Sequence, residues 1–224
     1  MRAFYGIVSC DVVESTSLEM DALIQLRRDL YSSLFPVLAS HYSGFWGRVV
    51  RGDTIECCVE QPKFSFRIAL LIKCWLKDWA TNHSASPGMR ESGIRYSIGI
   101  GPMRLVDKKE DFLDGEAIYI AGRNLDHISE RGIPASFGMH GADEDMTSLI
   151  TNNLLLLENL FVHLTERQCP VIFYKLLGFT ENEIARDLSI TQTAVNLRSR
   201  NAGWTGIKDT LKVLEQIDFD RYVV

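Results

Sequence analysis

"GFWGRVVRGDTIECCVE", residues 44–60, holds two short β-prone runs, "GFWGRVV" and "TIECCVE", on either side of "RGD". A Gly-Asp pair between such runs is hairpin chemistry, because glycine accepts the positive φ that a tight turn needs. Upstream, "AFYGIVSC" (3–10) is an apolar run short enough for a buried strand. "STSLEMDALIQLRRDLYSSLFPVLASHY" (15–42) then has helical periodicity, and Thr16-x-x-Glu19 predicts a capping box at its start. Downstream, "PKFSFRIALLIKCWLKDWA" (62–80) is helical, with Pro62 near its first turn. In "GIRYSIGIG" (93–101), Ile94, Tyr96, Ile98 and Ile100 alternate with smaller or polar residues, as a strand requires. "GEAIYIAGRNLDHISERG" (115–132) is a helix that Gly132 stops, and "PASFG" (134–138) reads as a last strand. The order is βαββαβ with an added helix, an α+β fold. Its plan is an antiparallel sheet covered by helices, the ferredoxin-like or palm arrangement.

A polar, Gly-containing stretch, "GMHGADEDMTS" (138–148), marks the end of this pattern. It divides the chain into an α+β domain over 1–145 and a helical domain over 146–224. The second part is helical throughout: "TSLITNNLLLLENLFVHL", "TERQCPVIFYKLLG", "TENEIARDL", "TQTAVNLRSRNAG" and "WTGIKDTLKVLEQI". Thr165-x-x-Gln168 and Thr180-x-x-Glu183 predict two more capping boxes, and Gly178 closes the helix between them.

Bulk properties narrow the function. The 224 residues carry a net charge of −5, with 46% hydrophobic and 24% charged residues, as in ordinary globular proteins. The longest apolar runs fall far short of a membrane span, and the first residues lack an export signal, so a cytoplasmic protein with no membrane contact is expected. Five cysteines without CxxC spacing read as reduced core thiols, and the five histidines show no ligand spacing. From Leu188 to Lys208 there are three cations and no acid, a small basic head on an acidic body.

That head has the pattern of a helix-turn-helix. Ile184, Ala185 and Leu188 point one way on its first helix, Ser189 makes the turn, and Ile190 and Val195 complete the contact. At about 100° per residue, Gln192, Asn196 and Arg200 share a stripe on the second helix, with Thr193 and Ser199 at its edges. Arg, Asn and Gln read base edges bidentately, so these residues are candidates for DNA contact, with Arg198 for a phosphate. The stretch from "LTERQCPVIFYKLLGFTENEIARDLSI" onward resembles the DNA-binding domain of sigma factors and related response regulators.

In "VSCDVVESTSLE" a strand delivers Asp11 to its end, and a short loop leads to a helix start, whose free N–H groups attract phosphate. The hairpin neighbours that first strand, which brings Asp53 toward Asp11; paired carboxylates are the usual holders of hard cations over a triphosphate. "DVVEST", "RGDTIECC", "RYSIGIG" and "DGEAIYIAGRNL" resemble, in the same order, the motifs of class III nucleotidyl cyclases. The resemblance implies Mg²⁺ at Asp11 and Asp53, phosphate binding by Val12, Val13, Glu14 and Ser15, and Arg123 facing the transition state. It also implies a homodimer, since the cyclase site forms between two palms. Tyr119 stands where those enzymes carry Asn, and Val49 lies about where they carry a base-selecting Lys or Glu. Over nearly its full length the chain is similar to the SatD family, bacterial proteins of unsettled biochemistry.

The expected function is a DNA-binding transcriptional regulator. Its cyclase-like, catalytically degenerate domain would sense a nucleotide and a metal. An enzyme acting on a nucleoside triphosphate, and a module that contacts a protein partner through its helical end, are the alternatives.

Overall fold

The structure is a computed structural model that describes residues 3–50, 52–83 and 85–222. Strand β1 (Phe4–Val12) is followed by helices α1 (Met20–Asp29) and α2 (Phe35–His41), then by the hairpin β2 (Trp46–Val49) and β3 (Thr54–Val59). Helices α3 (Ser65–Asn82) and α4 (Pro87–Ser92) lead to the long strand β4 (Ile94–Asp107). The order β2-β3-β1-β4 is antiparallel at every pairing, which is the ferredoxin-like arrangement. The far half of β4 turns back into β5 (Phe112–Gly115), a strand the periodicity did not predict because only Leu113 of its four residues is apolar and buried. Helix α5 (Glu116–Arg131) then crosses back and delivers β6 (Ala135–Met139) alongside the near half of β4. This last pairing is parallel, a departure from the expected all-antiparallel sheet, because a helical crossover returns the chain in its original direction.

The two faces of the sheet are covered by different elements. Val8, Cys10 and Val12 of β1 join the main core with residues of α1, α2 and α3. Ile7 joins Cys58, Met103, Leu113, Ala117 and Ala121 beneath α5. The glycines of "IGIG" explain how close α5 comes. A Cβ on Gly99 would stand 2.3 Å from the Ala117 carbonyl oxygen, a clash with backbone that cannot move aside.

The predicted helix over 15–42 divides in three. The Thr16–Glu19 capping box does not form: Glu14 has φ 55, a tight 3-10 turn follows over Ser15–Ser17, and α1 starts only at Met20. Between α1 and α2 the backbone widens into a π turn over Leu30–Leu34. Pro36 follows at once, and its missing N–H removes one of the bonds that would hold a regular turn there.

Beyond the sheet lie α6 (Glu144–Val162), α7 (Cys169–Leu176), α8 (Glu181–Asp187), α9 (Gln192–Asn201) and α10 (Trp204–Leu214). Residues of α6, α7 and α10, including Leu154, Phe161, Ile172 and Leu211, belong to the same apolar cluster as the sheet. Val171, Ile184, Ala185 and Val195 form a separate small core among α7, α8 and α9, with Leu188 and Ile190 packed against it. All five cysteines are buried and free, and burial raises their thiols, Cys58 to about 12 and Cys169 to about 11, which leaves them unreactive. Among the described residues, no helix is long and apolar enough to cross a membrane.

Candidate functional site

Strand register places the first group of residues. Asp11 lies directly opposite Thr54 on β3 and Arg95 on β4, so the three share one face of the sheet where β1 leaves the core. Thr54 Oγ1 donates to Asp11 Oδ1 at 2.9 Å. Gly52, at φ +73, turns the hairpin so that the Asp53 carbonyl accepts the Val12 N–H at 3.4 Å, while Arg51 lies outside the described residues. The Ser15 hydroxyl donates to Asp53 Oδ2. Asp11, Ser15 and Asp53, all singled out in the sequence, therefore lie at the same end of the sheet, Ser15 bonded to Asp53 and Asp11 to Thr54.

Electrostatics mark this corner. Burial raises the Asp11 carboxyl above its ordinary range; the Thr54 bond pulls it down, Asp53 pushes it up, Arg95 lowers it and Asp126 raises it. The acids outweigh the single arginine, whose buried Nε has no hydrogen-bond partner. A bound cation would relieve that excess of negative charge. Among the described residues, no group of three or more His, Cys, Asp or Glu converges as a metal site. The donor set suits a hard ion held by one or two carboxylates with substrate oxygens completing its shell, the usual mode of Mg²⁺.

The rest of the proposed phosphate loop is otherwise engaged. Val12 N–H goes to Asp53, and Val13 N–H goes to the Gly93 carbonyl at 2.9 Å. The Glu14 carboxylate accepts from Gly88 N at 3.2 Å, at the start of α4. Neither valine amide is free for a phosphate, and Glu14 brings negative charge to the loop. Ser15 keeps a hydroxyl at the corner.

Arg123 is exposed on α5 and donates through Nε to the Tyr119 carbonyl of its own helix at 3.1 Å. It does not pair with Asp126 or Glu116. The Tyr119 hydroxyl is spent on Asp114, which also holds Arg104 at 2.6 Å. Sequence reasoning missed Arg95 and Asp126. Arg95 was legible as the polar residue in the alternation of β4. Asp126 belongs to this corner only through the packing of α5.

A second group lies on α8 and α9. Thr180 and Glu183 form the full capping box, Ser189 takes φ 53 in the turn, and Thr191 caps α9 by accepting from Ala194 N. At the earlier box only part is present: Gln168 Oε1 accepts from Thr165 N at 2.8 Å, and α7 begins one residue later, at Cys169. Gln192, Thr193, Asn196 and Arg200 are exposed along α9. Two residues expected on this face are placed differently. Ser199 is 4% exposed and donates to the Asn196 carbonyl, because it falls on the side turned toward the neighbouring helices. Arg198 is half-buried and reaches the Arg167 carbonyl at 3.4 Å. One acidic residue was not foreseen. Glu181 accepts from Asn196 Nδ2 at 3.3 Å and pairs with Lys175 at 3.0 Å. The Lys175 bond, with help from Asn196 and Gln192, holds its carboxyl below the usual glutamate range.

No protein-family model and no curated protein matches the chain. Among the solved structures similar to it are three cyclases. Two are of a bacterial light-regulated adenylyl cyclase: one at 15% identity and TM-score 0.43, covering 61% of this chain and 76% of that one, the other at 16% and 0.42, covering 61% and 43%. The third is an adenylate/guanylate cyclase/hydrolase from Silicibacter pomeroyi, at 24% identity and TM-score 0.44, covering 68% of this chain and 82% of that one.

Proposed function

We propose that the protein is a transcriptional regulator that binds DNA, as a homodimer, through α8 and α9, and that its sheet-bearing part senses a nucleotide with Mg²⁺ at Asp11 and Asp53. The observation that carries this reading is the division of α9. Val195 enters an apolar core with Ile184 and Ala185, while Gln192, Thr193, Asn196 and Arg200 are exposed, Asn196 with a bond to Glu181. That is the division a recognition helix needs, one side holding its partner helix and the other free for base edges. Two such helices in a dimer suit half-sites about one helical turn of DNA apart. Fluorescence anisotropy with DNA from upstream of the protein's own coding region tests the reading. Affinity is expected to fall steeply between about 50 and 200 mM salt, as phosphate contacts release counterions. Binding that is absent, or insensitive to salt, would refute it.

At the sheet corner, Asp11 and Asp53 would hold the cation, which supplies charge neutralisation for a triphosphate. Thr54 orients the Asp11 carboxylate and Ser15 orients that of Asp53. The convergence of the two acids also favours a second reading, an enzyme that transfers the nucleotidyl group. Tyr119 argues against turnover, since its hydroxyl is committed to Asp114. Incubation with ATP or GTP and Mg²⁺ or Mn²⁺, followed by chromatography, separates the two readings. Cyclic or opened product that disappears in Asp53→Asn would establish the enzyme, and no product is expected.

A further inference from the structure

The geometry points to a second ligand site, for a small phosphoryl-bearing anion, in the cleft where α10 meets the start of α3. It is a cavity of about 440 Å³ lined by the cations Lys63, Arg67, Lys208 and Lys212 and the acids Asp209 and Glu215. The four cations are unusual company in a chain of net charge −5. Their partners decide what the cleft can hold. Arg67 donates to both oxygens of Glu215, at 2.6 and 2.8 Å, and to the Leu176 carbonyl at 3.0 Å. The Arg67–Glu215 pair is therefore internally neutral and forms a rigid floor. Three ammonium groups remain against Asp209 alone, which lies 3.7 Å from Lys208. Among the described residues, neither Lys63 nor Lys212 forms an ion pair, and Lys63 lies over the Phe64 ring at 5.0 Å. Such a cleft has an excess of about two positive charges and N–H donors on opposite walls, which is complementary to a phosphate dianion.

The placement gives the site a consequence. Lys63 precedes α3, which packs on the sheet, whereas Lys208 and Lys212 belong to α10, beside the small core that carries α9. An anion held from both walls would tie the C-terminal helix to α3 and stabilise that contact by mass action. This site is separate from the Asp11 corner and does not depend on the reading given for it.

The test uses the full chain, inorganic pyrophosphate as probe, and EDTA so that no divalent ion reaches Asp11 and Asp53. Calorimetry is expected to show binding that weakens with added salt, together with a rise in thermal midpoint. Lys63→Gln combined with Lys212→Gln should weaken binding about tenfold and shrink the thermal shift, since two charge-assisted bonds are removed. Three results would overturn the site: no binding by the native chain, undiminished binding by the double variant, or binding no tighter than that of sulfate at matched ionic strength. Lys208→Gln, a milder change on the exposed wall, guards against misfolding of the double variant and should weaken binding by a smaller factor.

Discussion

Where α3 meets α6, Lys73 and Lys77 are buried; on α9, Gln192, Asn196 and Arg200 stand in solvent. Lys73 Nζ lies 2.6 Å from Glu158 Oε2 and donates to the Ile94 carbonyl at 3.0 Å. Lys77 caps the end of α6 by donating to the Phe161 carbonyl and, at 3.2 Å, to that of Val162. Every charge at this seam has been taken from water and must be matched inside the protein. The α9 residues keep their hydration, and Asn196 among them bonds to an acid, Glu181. Two regions of similar polarity thus differ in setting: the seam holds the helical part against the sheet through buried charges, and α9 keeps a polar face in solvent.

The sharpest way to break this comparison is Lys73→Met. It leaves Glu158 buried without its cation and should cost about 3–5 kcal/mol in urea unfolding. Adding Glu158→Leu removes the stranded charge and should recover most of that loss, because an apolar pair of similar size is often neutral or stabilising. If Lys73→Met alone were harmless, the seam would be hydrated and the contrast with α9 would fail. The next effect is on binding. Arg200→Ala should weaken specific DNA affinity by about 1–3 kcal/mol if its guanidinium reads a base, with the unfolding midpoint unchanged. Ser199→Ala, one residue earlier but turned inward, should leave affinity near that of the native chain. Equal effects from the two would remove the proposed division of α9.

The same contrast explains what could be read in the sequence. The alternation in "GIRYSIGIG", the Gly-Asp turn and the apolar pattern from Ile184 to Val195 report local geometry, and each found its place. Asp11 and Asp53 also fall at the same end of the sheet, since the neighbouring of β1 and β3 follows from the order of strands. What failed depended on contacts between distant segments. Nothing in the local sequence marks Lys73 and Lys77 as interior; contacts with Glu158 and Phe161 of the distant α6 bury them. Glu14 looked like part of a phosphate loop until α4 presented the Gly88 amide to it. Ser199 lay at the edge of a stripe drawn by angle, and the packing of neighbouring helices decided which side of the edge was inside.

Two smaller effects sharpen the comparison on the α8–α9 side. Thr180→Ala removes the side chain that accepts from Glu183 N and should cost about 1 kcal/mol, seen as faster hydrogen exchange confined to α8. Acid gives the last test, because the two regions should respond with opposite sign. Glu183 and Glu181 are held below the ordinary glutamate value of 4.5, by the Thr180 bonds and by Lys175 respectively. A carboxyl depressed in the folded state adds stability that is present above its unfolded value and is lost as pH falls through the folded one. Burial instead raises Glu158, against the pull of Lys73. In the folded state it binds its proton more tightly than in the unfolded chain, so its contribution grows more favourable as pH falls below the folded value. Hydrogen exchange at about pH 6 and pH 3.5, corrected for intrinsic rates, should show protection falling in α8 and α9 before it falls in α3 and α6. If α6 opened first, Glu158 would be acting as an ordinary ionised partner of Lys73, and the seam would be held by charge in the way an exposed ion pair is.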